Sequence, residues 1–213
     1  MLNIAVLVSG GGTNLQAIID AIDAGKINGR ITAVISSRQG VYALERAQKN
    51  GIPGVVIARK SFGSSEDFDH ALLDALHQAK AELVVLAGFL SILGQAVISE
   101  YKNRILNVHP SLIPAFCGDG YYGLRVHEAV LKYGVRVTCA TVHFVNNIVD
   151  GGAILLQKPV EVKQDDTPET LQKRVMEQAE WVIMPRAVAL CCDGKVSVEN
   201  GRVMIKEESN IKE

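Results

Sequence analysis

The first half of the chain alternates short apolar runs with stretches of helical spacing, and this alternation constrains the fold more than any other feature. Strands are predicted at Asn3–Ser9, Ile31–Ile35, Val55–Ile57 and Leu83–Ala87, and helices at Thr13–Ala24, Val41–Lys49 and Ser65–Ala79. The regular β-α order is typical of a parallel sheet with helices on both sides. Such a sheet binds ligands at the carboxyl ends of its strands.

The second half predicts a different arrangement. It begins with a strand at Arg104–Val108, a long loop at Pro110–Gly123 and a helix at Arg125–Tyr133. An antiparallel pair of strands follows at Arg136–Val145 and Ala153–Val160. The last predicted elements are a helix at Thr167–Ala189, which Pro185 kinks or interrupts, and a hairpin at Lys195–Ile205. We therefore predict an α/β fold with a Rossmann-like, mostly parallel sheet, helices on both faces, and antiparallel strands added in the C-terminal half. One domain is expected over residues 1–205, with a polar C-terminal tail at 206–213.

Charge and hydrophobicity exclude several classes of protein. The formal net charge is −1 and Lys and Arg form no long run, which argues against a nucleic-acid partner. The chain start has no basic segment ahead of its apolar residues, and no apolar run approaches the roughly 20 residues of a membrane span. We expect a cytoplasmic monomer or homodimer that acts on small molecules and contacts no membrane.

The cysteines and histidines show no metal-ligand pattern. The 4 cysteines form no C-x-x-C pair, and the 5 histidines form no H-x-x-x-H pair on a helix. No metal site is predicted. His70, His77 and His127 are expected on exposed helix surfaces, and His143 is interpreted either as a neighbour of the site or as a packed strand residue.

A glycine-rich segment joins the first strand to the first helix. Glycines let the backbone approach an anion and the first N–H groups of a helix point toward it, which favours a phosphate site at Gly12, Thr13 and Asn14. A simple strand-to-helix turn, with Thr13 or Asn14 as the helix cap, is the alternative. Leu15 stands where a dinucleotide fingerprint has its third glycine, so a dinucleotide ligand is disfavoured.

Two polar side chains end the strand that precedes the long loop. Asn107 and His109 are two residues apart, so they project from the same side of the strand. An amide can donate to a developing oxyanion, and an imidazole can act as an acid or a base near neutral pH. A strand-ending histidine bonded to a backbone carbonyl is the alternative.

Asp150 lies in a turn between the two antiparallel strands and is followed by two glycines. A carboxylate beside His109 would raise the pKa of the imidazole. Asp-Gly turns also form for purely local reasons, so the spacing leaves this contact open.

Five motifs occur in an order that resembles the folate-dependent formyltransferase family. They are Ser9-Gly10-Gly11-Gly12-Thr13-Asn14-Leu15-Gln16, Leu86-Ala87-Gly88-Phe89, Asn107-Val108-His109-Pro110-Ser111-Leu112-Ile113-Pro114, Val142-His143-Phe144-Val145 and Asp150-Gly151-Gly152. The third motif marks formyl-folate enzymes in general, and the glycine loop followed by Leu15-Gln16 resembles the branch that acts on glycinamide ribonucleotide. The resemblance extends from residue 2 to residue 190.

The resemblance implies an activity and a set of site residues. The activity is transfer of the formyl group of 10-formyltetrahydrofolate, a co-substrate, to the amine of glycinamide ribonucleotide in purine biosynthesis. Asn107, His109 and Asp150 match the catalytic residues, with Asn107 and protonated His109 stabilising the oxyanion. The matched binding residues are Gly12, Thr13 and Asn14 for the phosphate, Glu180 for the ribose, and Leu90, Ser91, Ile92, Leu93, Asn107, Asn146, Asn147, Ile148, Val149 and Asp150 for the folate.

Three features depart from the family pattern. Ser65 and Ser91 stand where many members carry arginines that would contact the folate. The loop Phe116–Gly123 is longer and richer in glycine than in some members, and the segment around Glu180 has one extra residue. None of these departures removes a matched catalytic group. His127 also resembles a family position, with an exposed helix surface as its default interpretation.

Other functions are weighed against this one. A formyltetrahydrofolate hydrolase and a methionyl-tRNA formyltransferase are disfavoured by the length of 213 residues, because each normally carries a further domain. A non-catalytic phosphate- or nucleotide-binding Rossmann module would keep the glycine loop but leave Asn107, His109 and Asp150 unexplained.

Overall fold

The structure, a computed structural model, describes residues 1–206. Its strands and α-helices, in chain order, are β1 (Leu2–Val8), α1 (Thr13–Asp23), β2 (Gly29–Ser36), α2 (Tyr42–Lys49), β3 (Gly54–Val56), α3 (Ser65–Gln78), β4 (Leu83–Leu86), α4 (Gln95–Glu100), β5 (Ile105–His109), α5 (Leu124–Tyr133), β6 (Val137–Phe144), β7 (Ile154–Glu161), α6 (Pro168–Val175), α7 (Trp181–Cys192), β8 (Val196–Glu199) and β9 (Arg202–Ile205). A short 3₁₀ helix spans Arg59–Ser61, and a π-helical turn, Met176–Glu180, joins α6 to α7.

Seven strands form one sheet in the order β3-β2-β1-β4-β5-β6-β7, and β8 and β9 form a separate hairpin. The first five strands are parallel, whereas β6 runs antiparallel to both β5 and β7. The predicted fold class is confirmed, including the antiparallel strands in the C-terminal half.

Strand β1 is buried on both faces because its side chains alternate between two hydrophobic clusters. Ile4, Val6 and Val8 pack with α1 and α7 on one face of the sheet. Ala5 and Leu7 pack with α3 on the other. This two-sided burial explains why the strand is a continuous apolar run rather than an alternating one.

The strand order reverses between β1 and β4, which opens a crevice at the carboxyl end of the sheet. Ser9 ties the strand ends together there: its hydroxyl accepts a hydrogen bond from the Leu90 amide at 2.8 Å and lies 2.6 Å from the hydroxyl of Ser37. The loops after β1, β2 and β4 therefore meet at one place, beside the end of β5.

Two elements differ from the sequence prediction. Helix α4 is not predicted, because Val97 is the one fully buried side chain in its six residues and so short a helix shows no periodicity. Pro185 lies inside α7, which continues through it, and the departure from α-helical geometry is the π-helical turn ahead of α7. Pro185 has no N–H to donate to the carbonyl of Trp181, four residues earlier, and Trp181 lies at the junction between the π-helical turn and α7.

Lys206 is the one described residue of the predicted tail, and residues 207–213 lie outside the described part of the chain. The single domain over residues 1–205 stays a prediction. Within residues 1–206, no helix is both long enough and apolar enough to cross a bilayer.

Candidate active site

A cleft of about 880 Å³ lies at the carboxyl end of the parallel strands. All of the predicted site residues line it, although they come from five separate segments of the chain. A second groove, of about 770 Å³ between α1 and α7, contains Thr13 but none of the predicted catalytic or folate-binding residues. The cleft is therefore the candidate active site.

The glycine loop forms one wall of the cleft. Gly12 has a φ of 71°, and a Cβ there would come within 2.7 Å of the Ala43 Cβ, so both the backbone conformation and the packing require glycine. Helix α1 starts at the next residue without a side-chain cap, so the interpretation of Thr13 or Asn14 as a cap is wrong. The first N–H groups of α1 have no intrahelical partner and are available to an anion.

Asn14 and Glu180 form a buried pair beside this loop. The Asn14 amide donates to Glu180 Oε2 at 2.6 Å, and burial raises the pKa of the Glu180 carboxyl although the hydrogen bond from Asn14 opposes the rise. The π-helical turn contains five residues and ends at Glu180. A π turn holds about one residue more than an α turn, so it accommodates the extra residue ahead of Glu180 while keeping that carboxyl on Asn14.

Asn107, His109, His143 and Asp150 form a second polar group, which we call the acid–base cluster. The sheet register places Asn107 opposite His143 on β6. The Asn107 amide nitrogen lies 3.1 Å from His143 Nε2 and donates to Asp150 Oδ1 at 3.4 Å. Asp150 Oδ2 lies 3.4 Å from His109 Nδ1, and the three ionisable side chains are each at least nine-tenths buried. The structure therefore brings the predicted catalytic residues together, which sequence spacing left open for Asp150.

Backbone carbonyls define which nitrogen of each imidazole is free. His143 Nδ1 lies 3.0 Å from the Phe144 carbonyl oxygen, which can only accept, so Nδ1 carries a hydrogen, while Nε2 lies 3.1 Å from the Asn107 amide nitrogen and 3.5 Å from Asp150 Oδ1. His109 Nε2 lies 2.9 Å from the Phe116 carbonyl oxygen and is a donor for the same reason. The nitrogen of His109 that can gain or lose a proton is therefore Nδ1, the one facing Asp150.

The long loop after β5 contacts the cluster through its backbone. Besides the Phe116 carbonyl, the Gly118 amide donates to Asp150 Oδ2 at 2.9 Å. These two contacts orient both ionisable partners. No side-chain pattern could have predicted them, because the groups involved are a carbonyl and an amide.

The turn between β6 and β7 holds Asp150 in place. Asp150 has a φ of 55°, in the left-handed region that aspartate tolerates better than most residues. A Cβ at Gly152 would overlap the Phe144 carbonyl oxygen, so only glycine allows the turn to close against β6. The Asp-Gly-Gly sequence thus fixes where the carboxylate points.

Burial and charge act in opposite directions on the pKa values of the cluster. Burial lowers the pKa of His109, and this effect outweighs the rise caused by Asp150. The carboxylate acts on the pKa of His109 in the expected direction, but the larger effect of burial leaves that pKa below its ordinary value. Burial alone would raise the pKa of Asp150, but its contacts with His143, His109 and the Gly118 amide together lower it.

The predicted folate residues form the outer part of the cleft. Leu90 and Ile92 follow β4, and Ile148 and Val149 lie in the β6–β7 turn; these apolar side chains are 44% to 75% exposed. Exposed apolar side chains at a cleft are typical of a ligand-binding surface. Ser91 also lines the cleft, whereas Ser65 does not and accepts a hydrogen bond from Arg59 at 3.0 Å.

The prediction that His127 lies on an exposed helix surface is wrong. It is 0% exposed and lines the cleft from the first turn of α5, whereas His70 and His77 are exposed as predicted. Val126 and Val130 share its buried face, and this spacing was the signal that could have placed it there. His143 is both of the things proposed for it, a packed strand residue and a neighbour of the site.

Among the described residues, no group of three or more Cys, His, Asp or Glu side chains is arranged to hold a metal ion. The acid–base cluster itself uses its nitrogen and carboxylate atoms on one another.

Comparisons with known proteins agree with this geometry. A family described as formyl transferase matches residues 2–188. The phosphoribosylglycinamide formyltransferase of Haemophilus influenzae is 40% identical over 200 residues, which cover 94% of this chain and 92% of that protein. The trifunctional purine biosynthetic protein adenosine-3 of Gallus gallus is 43% identical over 206 residues, and this chain spans only 20% of its length.

Among solved structures, the glycinamide ribonucleotide transformylase 1 of Symbiobacterium toebii superposes with a TM-score of 0.92 at 41% identity, covering 97% of this chain and 95% of that one. The match to the family extends over both walls of the cleft and over most of the chain. This chain belongs to the formyl transferase family.

Proposed function

We propose that the chain transfers the formyl group of 10-formyltetrahydrofolate to the amine of glycinamide ribonucleotide, as an enzyme of purine biosynthesis. The observation that carries the proposal is the meeting of three features in one cleft: a glycine loop at a helix start, a buried acid–base cluster, and an apolar outer surface. The names of the bacterial relatives support the same activity.

The two substrates would enter from opposite sides of the acid–base cluster. Gly12, Thr13 and Asn14 would hold the ribonucleotide phosphate on backbone N–H groups, with Glu180 on the ribose. The exposed apolar side chains after β4 and in the β6–β7 turn would cover the ring of the folate, whose 10-formyl nitrogen carries the group to be transferred. A buried cluster between them excludes water from the reacting atoms.

The chemistry requires stabilisation of negative charge and movement of one proton. The amine forms a bond to the formyl carbon, the carbonyl oxygen becomes an oxyanion, and the bond from carbon to the folate nitrogen then breaks as a proton moves from the amine to that nitrogen. In this proposal, Asn107 donates to the oxyanion by exchanging its 3.4 Å bond to Asp150, while keeping the shorter one to His143.

His109 carries the proton on Nδ1. Because Nε2 stays on the Phe116 carbonyl, the ring keeps its orientation while Nδ1 changes its protonation. Asp150 lies beside that nitrogen and stabilises the charged imidazole against the effect of burial. His143 contacts both Asn107 and Asp150 and acts as a positioning residue.

One assay tests the proposal. The purified chain is mixed with 10-formyltetrahydrofolate, with and without glycinamide ribonucleotide, and tetrahydrofolate is followed. We expect release only when the ribonucleotide is present. Release without the ribonucleotide would instead indicate a hydrolase, and ligand binding without turnover would indicate a non-catalytic module. His109→Ala serves as the inactive comparison, and His70→Ala, on an exposed face of α3, as the matched control.

Cellular location and assembly state are further parts of the proposal. A cytoplasmic enzyme that acts as a monomer or homodimer on these two small molecules is part of the proposal. Size-exclusion chromatography of the purified chain distinguishes the two assembly states.

A further inference from the structure

His127 is a buried imidazole that the proposed chemistry does not use. Its side chain is 0% exposed, and neither ring nitrogen has a hydrogen-bond partner within residues 1–206. Buried polar atoms are rarely left without a partner, because each loses its hydrogen bonds to water and gains none in return. Such a residue in a cleft calls for an explanation.

The charge state of His127 narrows what it could bind. Burial, together with a smaller effect of the nearby His109, lowers the pKa of His127 to about 4. The ring is therefore neutral near pH 7 and offers one N–H donor and one lone pair. A hydroxyl group can bond either ring nitrogen, because it accepts from the N–H and donates to the lone pair. A phosphate oxygen could bond only the N–H.

The position of His127 indicates which ligand would reach it. It lines the cleft together with Gln172, Met176 and Glu180 from the α6 side, and α5 packs directly against α6. Asn14 Oδ1, in the same wall, is a further buried atom without a partner in the described part of the chain. Both residues line the cleft, and Asn14 belongs to the glycine loop that is the candidate phosphate site.

The loop that precedes α5 leads directly into the helix that carries this imidazole. Gly118 and Gly123 have positive φ values of 88° and 56°, and Gly123 directly precedes the helix that carries His127. Contact with the ring requires this loop to move only at its Gly123 end, which leaves the Phe116 and Gly118 contacts with the acid–base cluster in place. The unpaired nitrogens would then be completed by the ligand rather than by the protein.

We propose that His127 is a substrate-binding residue that hydrogen-bonds a sugar hydroxyl of the bound ribonucleotide. The inference rests on the proposed function for the identity of the ribonucleotide, but its test does not need turnover. A purely structural histidine would have to leave both nitrogens unpaired in every state of the protein.

The test measures binding of ribose 5-phosphate and of inorganic phosphate by isothermal titration calorimetry, without folate. We expect His127→Phe to weaken ribose 5-phosphate binding about tenfold, the effect of one lost hydrogen bond, and to leave inorganic phosphate binding unchanged. His127→Gln, which keeps a donor and an acceptor, should recover most of the affinity. His70→Gln is the matched control and should bind both ligands like the wild type.

The outcomes separate the two proposals. Equal affinity of His127→Phe and the wild type for ribose 5-phosphate, with a change in thermal stability alone, would overturn the role of His127. So would a wild type that binds ribose 5-phosphate no better than inorganic phosphate. If His127→Phe does not fold, His127→Leu carries the same comparison. A chain that shows the His127 dependence but transfers no formyl group would disprove the proposed function and leave this inference standing.

Discussion

The cleft contains two polar clusters that differ in how completely their hydrogen bonds are made. In the acid–base cluster, every side chain contacts another member, and backbone groups of Phe116, Gly118 and Phe144 complete it. In the second, which we call the open cluster and which consists of Asn14, His127 and Glu180, three buried atoms lack partners among the described residues. The first arrangement keeps reacting groups fixed before the substrate arrives. The second leaves buried atoms whose hydrogen bonds a ligand can supply.

This comparison predicts different consequences of mutation. Changes in the acid–base cluster should act mainly on kcat, whereas changes in the open cluster should act mainly on ribonucleotide binding and stability.

The largest effect is expected for His109→Ala and for Asn107→Ala. Removing a transition-state donor or a proton carrier typically costs roughly 100- to 1,000-fold in kcat. We expect losses of that size in either variant, measured by steady-state turnover, with the far-UV circular dichroism and the melting temperature close to those of the wild type. Near-wild-type turnover in either would disprove the mechanism.

Asp150→Asn should lower kcat by about 100-fold and shift its pH dependence. The Asp150 carboxylate raises the pKa of His109, so its removal lets that pKa fall further. If protonated His109 is the active form, the alkaline limb of the kcat–pH profile moves to lower pH in the variant. A shift to higher pH, or none at all, would contradict the assigned role of the carboxylate.

His127→Phe should make the protein more resistant to acid. The folded-state pKa of His127 is about 4, below the ordinary value of 6.5, so the unfolded chain binds the proton first as the pH falls between these values. Wild-type stability therefore decreases on acidification, by up to about 1.4 kcal/mol per pH unit from this residue. Urea unfolding at pH 7.5 and 4.5 should show a smaller loss in the variant, and equal losses would contradict the buried neutral ring.

Glu180→Ala should raise KM for glycinamide ribonucleotide about tenfold. The substitution removes the proposed hydrogen-bond partner of the ribose and also the acceptor of the hydrogen bond from Asn14. KM for 10-formyltetrahydrofolate should change by less than about twofold, since the folate surface lies on the other side of the acid–base cluster. A change in the folate KM alone would place Glu180 in the wrong half of the cleft.

The smallest effect is expected far from the cleft. Asn200 has a φ of 49° in the turn between β8 and β9, and alanine tolerates this conformation less well. Asn200→Ala should lower the free energy of unfolding by about 1 kcal/mol and leave kcat and both KM values unchanged. Any change in turnover would show that the hairpin is coupled to the cleft.

The sequence was most informative where a local pattern carries the structure. The apolar run of β1, the glycine at position 12 and the Asn200-Gly201 turn are each set by short-range sterics or periodicity, and all were predicted with nearly correct bounds. Helix α4 and the π-helical turn were missed because six residues show no clear period and because a π turn differs from an α turn by one residue only.

The candidate site divides in the same way. The proximity of Asn107 and His109 followed from a two-residue spacing on one strand, and resemblance supplied the list of binding residues. The burial of His127 was predicted wrongly, although its spacing from Val126 and Val130 placed it on the inner face of α5. Histidine is a polar residue type that favours the exposed face of a helix, but the position of His127 in the helical period of α5 places it on the buried face.

By itself, the sequence determined the parallel sheet, the glycine loop at its carboxyl edge and the identity of the polar residues, because these depend on neighbours along the chain. Only the tertiary structure decided that Asp150 reaches His109, that burial outweighs this carboxylate in setting the pKa of His109, and that His127 is enclosed without a partner. Those properties depend on which distant segments pack around each atom, and the desolvation of a charge is set by that packing rather than by the residues beside it.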